Sequence, residues 1–267
     1  MNLVSDTAAP HLQRRLIAAM RAAEAAGVPV INGVSAHAAC AAKVAQHALL
    51  LLARLPAPAT IVVPTGSGAV LAAAVKAAEL RYPLLLKPNA GGFGQGIARF
   101  SSETALQNEK DGSDRFSAFG DDGLALLQEQ MTARLGEVGR IWVLGGTILC
   151  AVRAPAMRVD DTGPESASGC MANSQSAVAA RAWAPPPSIC QEVLRLAELA
   201  GATWGSVELM WPESHEENKY VYFDLNLSCV SSLPDPALVA DPDNVWAPGF
   251  EPYREMARYV SETMAKP

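Results

Sequence analysis

The chain has 267 residues, half of them apolar and 18% charged, with a formal net charge of −6. That length accommodates one large or two modest domains around a substantial core, and a mildly acidic chain without a Lys/Arg run fits neither nucleic acid nor an anionic membrane surface as a partner. Five cysteines stand far apart without a CxxC pair, and the four histidines do not gather beside them at zinc-ligand spacing, so reduced thiols in a cytoplasmic protein are expected. At the N-terminus no basic segment leads into an apolar one, so no signal peptide is read. Residues 10–26 predict a helix: Pro10 suits its first position, Leu12, Leu16, Ile17 and Met20 form one apolar stripe, and Gly27 ends it. VPVIN, residues 28–32, reads as a short extended segment. Ser35 is placed to cap a second helix in which Val44, Leu51 and Leu55 share a face, stopped by Pro56 and Pro58. Lys43, Gln46, two histidines and Arg54 make residues 36–55 amphipathic and not a membrane span.

The β-branched run at residues 60–63 predicts a strand, and Gly66-Ser67-Gly68 then opens a third helix toward Leu80. This GSG lacks the Lys-Ser/Thr ending of a P-loop and is read as a helix start. YPLLLKPNAGGFGQGI, residues 82–97, follows. Leu84, Leu85 and Leu86 predict a buried strand, Lys87 stands where that strand leaves the core, and four glycines fall within the next nine positions. Such a loop brings backbone N–H groups close to an anion, which suits a nucleoside triphosphate, or it simply joins two strands. Residues 101–122 are polar and read as a surface connection, and residues 124–131 (LALLQEQM) as a strand. Two β-rich runs, 140–144 and 147–153, flank Gly145-Gly146, a two-residue hairpin signal. Residues 154–187 read as a long loop leading into a helix that Gly201 stops. Two further strands, 203–210 and 220–227, flank a charged turn, and residues 253–264 close the chain as an amphipathic helix.

Alternation along residues 221–227 puts Asp224 and Asn226 on one face, where two oxygen-bearing side chains can share a hard cation. Glu208 reaches the same side if the two strands pair as an antiparallel hairpin; the bland alternative is a solvent-facing polar stripe. Arg140 and Arg153, on the two arms of the Gly-Gly hairpin, are either surface arginines or neighbours facing one cleft, where guanidinium groups hold phosphate oxygens.

In this order the motifs resemble the ATP-grasp superfamily, in particular carboxylate–amine ligases similar to ribosomal-protein S6 glutamate ligases, over about residues 28–234. GVPVIN resembles the segment before the module's first helix, and Lys43 falls at that helix's usual lysine. LLLKPNAGGFGQGI looks like the second lysine, Lys87, and its glycine-rich lid loop with Gly91, Gly92 and Gly94. LLQEQM resembles the hinge strand, implying that Gln128, Glu129, Gln130 and Met131 meet adenine, largely through backbone groups. RIWVLGGTILCAVRA is similar to the family's Arg-strand, Gly-Gly turn and strand-Arg unit, which assigns Arg140 and Arg153 to the acyl-phosphate, with Asn173 where an asparagine often follows. SVELM and YFDLN resemble the two metal-bearing strands, implying Glu208, Asp224 and Asn226 as ligands of Mg²⁺ or Mn²⁺.

The resemblance implies an α+β fold in which two α+β subdomains grip ATP. Residues 1–55 form an N-terminal helical segment, 56–131 a small subdomain with the lid loop, and 132–267 a C-terminal subdomain with the metal site. It implies attack of a small-molecule or peptide carboxylate on the γ-phosphate, then displacement of phosphate by an amine. Departures are also expected to matter. The further N-terminal domain of complete members is missing or reduced to one helix, so that a homo-oligomer or a partner chain would supply it. Glu208 stands where Asp is commoner and Asp224 where Glu is commoner; Ser228-Cys229-Val230 replaces a Pro-Gly, and Val138-Gly139 replaces an acidic residue before the hairpin arginine. A nucleotide-binding regulatory module without turnover is the alternative reading, and a small-molecule kinase a third.

Overall fold

The structure, a computed structural model, describes residues 10–90, 96–109, 122–156, 180–227 and 233–265; Gly91, Gly92, Gly94, Asn173 and residues 228–230 lie outside these. Helix α1 (Pro10–Ala25) ends as expected at Gly27, whose φ is +74°. VPVIN joins neither sheet, and residues 28–30 have no regular secondary structure before the turn at 31–32. Asn32 anchors this segment: buried, its side chain donates to the carbonyls of Trp204 and Leu227 at 2.6 and 2.9 Å and accepts from the N–H groups of Thr203 and Trp204 at 2.8 and 3.0 Å.

The helix expected from Ser35 to the prolines is two helices, α2 (Val34–Cys40) and α3 (Lys43–Leu52). Alanines alone do not break a helix; side chains from elsewhere make the break at Ala41-Ala42 affordable. Gln46 Nε2 donates to the Cys40 carbonyl at 2.7 Å, and Asn89 takes the first N–H groups of α3. Leu49 and Leu50 face the core, whereas Leu51 and Leu52 are exposed, so Leu51 does not share the buried surroundings of Leu55.

Strands β1 (Thr60–Pro64), β2 (Leu84–Pro88), β3 (Ala98–Phe100) and β4 (Leu124–Glu129) form an antiparallel sheet in the order β1-β4-β2-β3. Helices α4 (Gly68–Ala77) and α5 (Glu103–Gln107) cover one face, with Leu71, Val75, Leu84, Leu86, Leu106 and Leu127 in the shared core. α5 lies inside the stretch expected to be a plain connection. Ser102 caps it by accepting from the Ala105 N–H. At Gly68 a Cβ would stand 1.9 Å from the Leu106 carbonyl, so α4 can start against α5 only with glycine there.

The second sheet has the order β10-β7-β6-β5-β8-β9. Its strands are β5 (Ala133–Leu144), β6 (Thr147–Pro155), β7 (Ala180–Ala182), β8 (Trp204–Pro212), β9 (Val221–Asn226) and β10 (Val239–Ala240). β6 runs on to Pro155 and β7 lies at 180–182, both within the region expected to be one long loop. The Gly145-Gly146 turn forms as expected, with φ of +60° and +80°, conformations that suit glycine and the twist of the flanking strands. One face packs on α6 (Pro187–Ala200) and on α2 and α3, through Ile141, Val143, Val193, Leu196, Val207 and Leu225. The other face is covered by α7 (Pro252–Met264) at its Trp142–Trp204 end, and its Arg140–Glu208 end carries polar side chains. Among the described residues no helix is long and apolar enough to cross a membrane.

Candidate active site

Residues directly opposite in an antiparallel ladder point to the same face. β8 and β9 pair Glu208 with Asp224 and Ser206 with Asn226, and β5 pairs Arg140 with Glu208. The hairpin pairing on which Glu208 depended is therefore present, and the five side chains form one polar patch. Arg140 Nε lies 3.1 Å from Ser206 Oγ and 3.4 Å from Glu208 Oε1, with its guanidinium 5.0 Å from the Trp142 ring centroid. Asn226 Nδ2 donates to Asp224 Oδ2 at 3.0 Å.

Two lysines from other elements complete the cluster. α3 contacts both β4 and β9, so it links the two sheets, and Lys43 at its first turn places Nζ 3.5 Å from Asp224 Oδ1. Lys87, the last residue but one of β2, has its Nζ 2.5 Å from Gln128 Oε1. Burial alone would push the Asp224 carboxyl up. Lys43, Lys87, the Asn226 hydrogen bond and Arg140 together outweigh burial and hold it below the ordinary carboxylate value. His47, one turn after Lys43, is held below its usual value by burial and by the Lys87 charge.

The hinge is ordered by its neighbours. Glu129 Oε1 accepts from the Arg81 N–H at 2.9 Å, and Oε2 lies 3.2 Å from Arg81 Nη2; Gln130 Oε1 accepts from Arg99 Nε at 2.5 Å. The N–H groups of Glu129 and Gln130 donate to the carbonyls of Ala59 and Pro83. They are committed to the fold, and Met131 supplies the next N–H along the hinge.

Arg153 does not join Arg140. Its partner in the ladder is Gly139, one residue from Arg140, so the two arginines point to opposite faces of the sheet. The Arg153 guanidinium stacks on Trp211 at 4.1 Å and Trp183 at 5.1 Å, with Glu137 at 4.0 Å. The expectation that both arginines face one cleft is corrected by register parity. Asn89, absent from the sequence-based set, touches both lysine-bearing elements. Its only sequence signal is a polar residue two positions past Lys87, at the end of an apolar strand.

The cluster suits a metal–polyphosphate pair better than a metal alone. Among the described residues no three His, Cys, Asp or Glu side chains gather at metal-binding distance. Two carboxylates and one amide oxygen on adjacent strands match the few protein ligands that Mg²⁺ takes when phosphate oxygens supply others. Lys43, Lys87 and Arg140, set against Glu208 and Asp224, leave an excess of positive charge for an anion.

No protein-family model matches the sequence, and neither does any curated protein. Solved structures do. The ATP-grasp ligase PsnB, complexed with a minimal precursor, matches with a TM-score of 0.55 at 21% identity, over 81% of this chain and 62% of PsnB. A RimK domain ATP-grasp protein from Sphaerobacter thermophilus gives 0.54 at 20% identity, over 79% of this chain and 69% of its own. D-cycloserine synthetase DcsG gives 0.64 at 16% identity, over 95% and 80%. This chain thus spans 62% of the length of PsnB, and at these identities the likeness is one of architecture. With a four-stranded and a six-stranded sheet joined through a lysine-bearing helix, the chain has the ATP-grasp fold.

Proposed function

We propose that the chain is an ATP- and Mg²⁺-dependent ligase joining a carboxylate to an amine, with residues 56–131 and 132–267 as the two gripping subdomains. The observation that carries this reading is the convergence of Lys43, Lys87 and Arg140, from three separate elements, on Asp224 and Glu208. Lys43 and Lys87 offset charge on the phosphates, Arg140 faces the transferred phosphoryl group, and the hinge from Gln128 to Met131 holds adenine. Glu208, Asp224 and Asn226 would hold the magnesium ion, which supplies charge compensation at phosphate oxygens when bound. A substrate carboxylate oxygen forms a bond to the γ-phosphorus as the bond to ADP breaks. The amine nitrogen then bonds to the acyl carbon, phosphate leaves, and the nitrogen gives up its proton. No protein nucleophile is required, and orientation of the reactants carries much of the acceleration. Solved relatives in fold support the cofactor set: PsnB has been complexed with minimal precursor, Mg and ADP. Because PsnB has also been complexed with a precursor peptide and DcsG is a D-cycloserine synthetase, the acid and the amine are to be sought among peptides and small molecules alike.

Calorimetric titration of ATP with and without Mg²⁺, against wild type and Lys87→Ala, tests the reading. Wild type is expected to bind in a Mg²⁺-dependent way, and the variant to lose about tenfold or more in affinity, the equivalent of about 1.4 kcal/mol. Equal affinity in the two proteins would remove the phosphate role of Lys87. One observation favours a second reading, a nucleotide-binding module without turnover: Arg153 lies on the wrong face to assist Arg140. Release of ADP on adding carboxylate–amine pairs separates the readings, since the module would bind Mg-ATP and release none.

A further inference from the structure

Asn89 follows Lys87 and Pro88 at the end of β2 and is 5% exposed. Its carbonyl accepts from the Lys43 N–H at 2.8 Å, and its Oδ1 accepts from the Val44 N–H at 2.9 Å. Its Nδ2 donates to Asp122 Oδ2 at 2.5 Å, just ahead of β4. The first N–H groups of a helix have no partner inside it and are usually met by a side chain at the residue before. Ala42 occupies that position in α3 and has no side-chain acceptor, so Asn89, 45 places after Val44, serves as the cap for Val44. The consequence is geometric. Lys43 sits on α3 and Lys87 on β2, and the path between their backbones runs through Pro88 and the two hydrogen bonds of Asn89.

We propose that Asn89 is a positioning residue that sets the spacing of Lys43 and Lys87, and so tunes affinity for the phosphate chain of a nucleotide without touching the adenine. The proposal rests on the nucleotide reading of the site. Asn suits the position because it must accept from one neighbour and donate to the other. Alanine offers neither group, and aspartate would set a second carboxylate against Asp122. Removing the side-chain cap leaves the first turn of α3, where Lys43 lies, held to β2 by the Lys43–Asn89 backbone bond alone, while Lys87 stays fixed by the strand. The loss therefore falls on ligands that need both lysines at once.

The test compares Mg-ATP and adenosine binding by wild type, Asn89→Ala, Asn89→Asp and the swap Asn89→Asp/Asp122→Asn, each with its melting curve. Asn89→Ala is expected to lose about tenfold in Mg-ATP affinity and to keep adenosine affinity within about twofold. Asn89→Asp loses at least as much. The swap, which restores a donor–acceptor pair with polarity reversed and total charge unchanged, recovers most of the Mg-ATP affinity. Should Asn89→Ala unfold, the single Asp variant and its swap carry the comparison. A single substitution that binds Mg-ATP like wild type, one that loses adenosine and Mg-ATP equally, or a swap that recovers none of the lost affinity overturns the proposal. Wild type that binds neither ligand overturns the nucleotide reading and this proposal with it, so the two failures are told apart.

Discussion

At the residue scale, one buried amide ties three parts of the chain together. Asn32 uses both its oxygen and its nitrogen twice, joining the segment after α1 to the start of β8 and the residue after β9. Replacing it with alanine leaves two buried carbonyls, the buried Trp204 N–H and the half-buried Thr203 N–H without this partner. The cost of leaving such groups unmet is about 1–3 kcal/mol each, and relaxation or water entry recovers part of it. Asn32→Ala is therefore expected to lower stability by about 2–3 kcal/mol, read as a drop in the urea midpoint at constant slope. A midpoint within experimental error of wild type would show that the anchor is dispensable. Lys87→Ala is the opposite kind of change: its side chain lies at a strand end, so it should alter ligand binding with little effect on melting.

At the scale of elements, α3 shows which parts of the site are legible in sequence and which are not. β1, β2, β4, β5, β6, β8 and β9 follow from apolar runs and alternation, whereas β3, β7 and β10, of three residues or fewer, carry no such signal. The shared face of Glu208, Asp224 and Asn226 follows from period-two geometry, and the Gly145-Gly146 hairpin from its turn residues. In the fold Lys43, Lys87, Gln128, Glu208, Asp224 and Asn226 lie together. The split between α2 and α3 is not legible, because Ala41-Ala42 would sit comfortably in a helix and the groups that stabilise the break, Gln46 and Asn89, lie in other turns or elements. Arg153 fails for a different reason. Counted from the Gly145-Gly146 turn alone, Arg140 and Arg153 would share a face; a bulge between Trp142 and Val143 shifts the β5–β6 ladder by one residue, and alternation along either strand does not announce it. The same helix carries a pH signal. His47 is held below its ordinary value of 6.5 by burial and by Lys87, so the unfolded chain takes up a proton more readily than the folded one. Its contribution to stability is thus full above pH 6.5 and is lost as pH falls through the folded value. NMR titration should place the His47 midpoint below 6.5 and move it upward when Mg-ATP neutralises Lys87, and His47→Gln should flatten part of the stability slope on the acid side. A midpoint at or above 6.5 in the free protein would remove Lys87 from contact with His47.

At the scale of the whole molecule, the charge of the site dictates the order in which its ligands bind. The overall charge is −6, yet the cleft gathers Lys43, Lys87 and Arg140 around two carboxylates, so the local field is the reverse of the global one. A divalent cation approaching alone meets three cations that already neutralise Glu208 and Asp224. A triphosphate approaching alone finds the lysines but also meets those carboxylates. Only the two together let Lys43 and Lys87 turn to phosphate while Asp224 and Glu208 turn to the metal. The protein should therefore respond weakly to Mg²⁺ alone, modestly to ATP alone, and strongly to the pair. At a hundredfold excess over the dissociation constant, binding adds about 2.7 kcal/mol to stability. For a chain of this size that is about 5–10 °C in the midpoint of melting. Asp224→Asn should shrink the difference between ATP and Mg-ATP, because it removes a metal ligand and also releases Lys43 to the phosphates. ATP alone should then bind the variant at least as well as wild type. Equal melting shifts for Mg²⁺ alone and for Mg-ATP in wild type would mean that the carboxylates hold a cation independently of any nucleotide, and the coupling between the two sheets would have to be sought elsewhere.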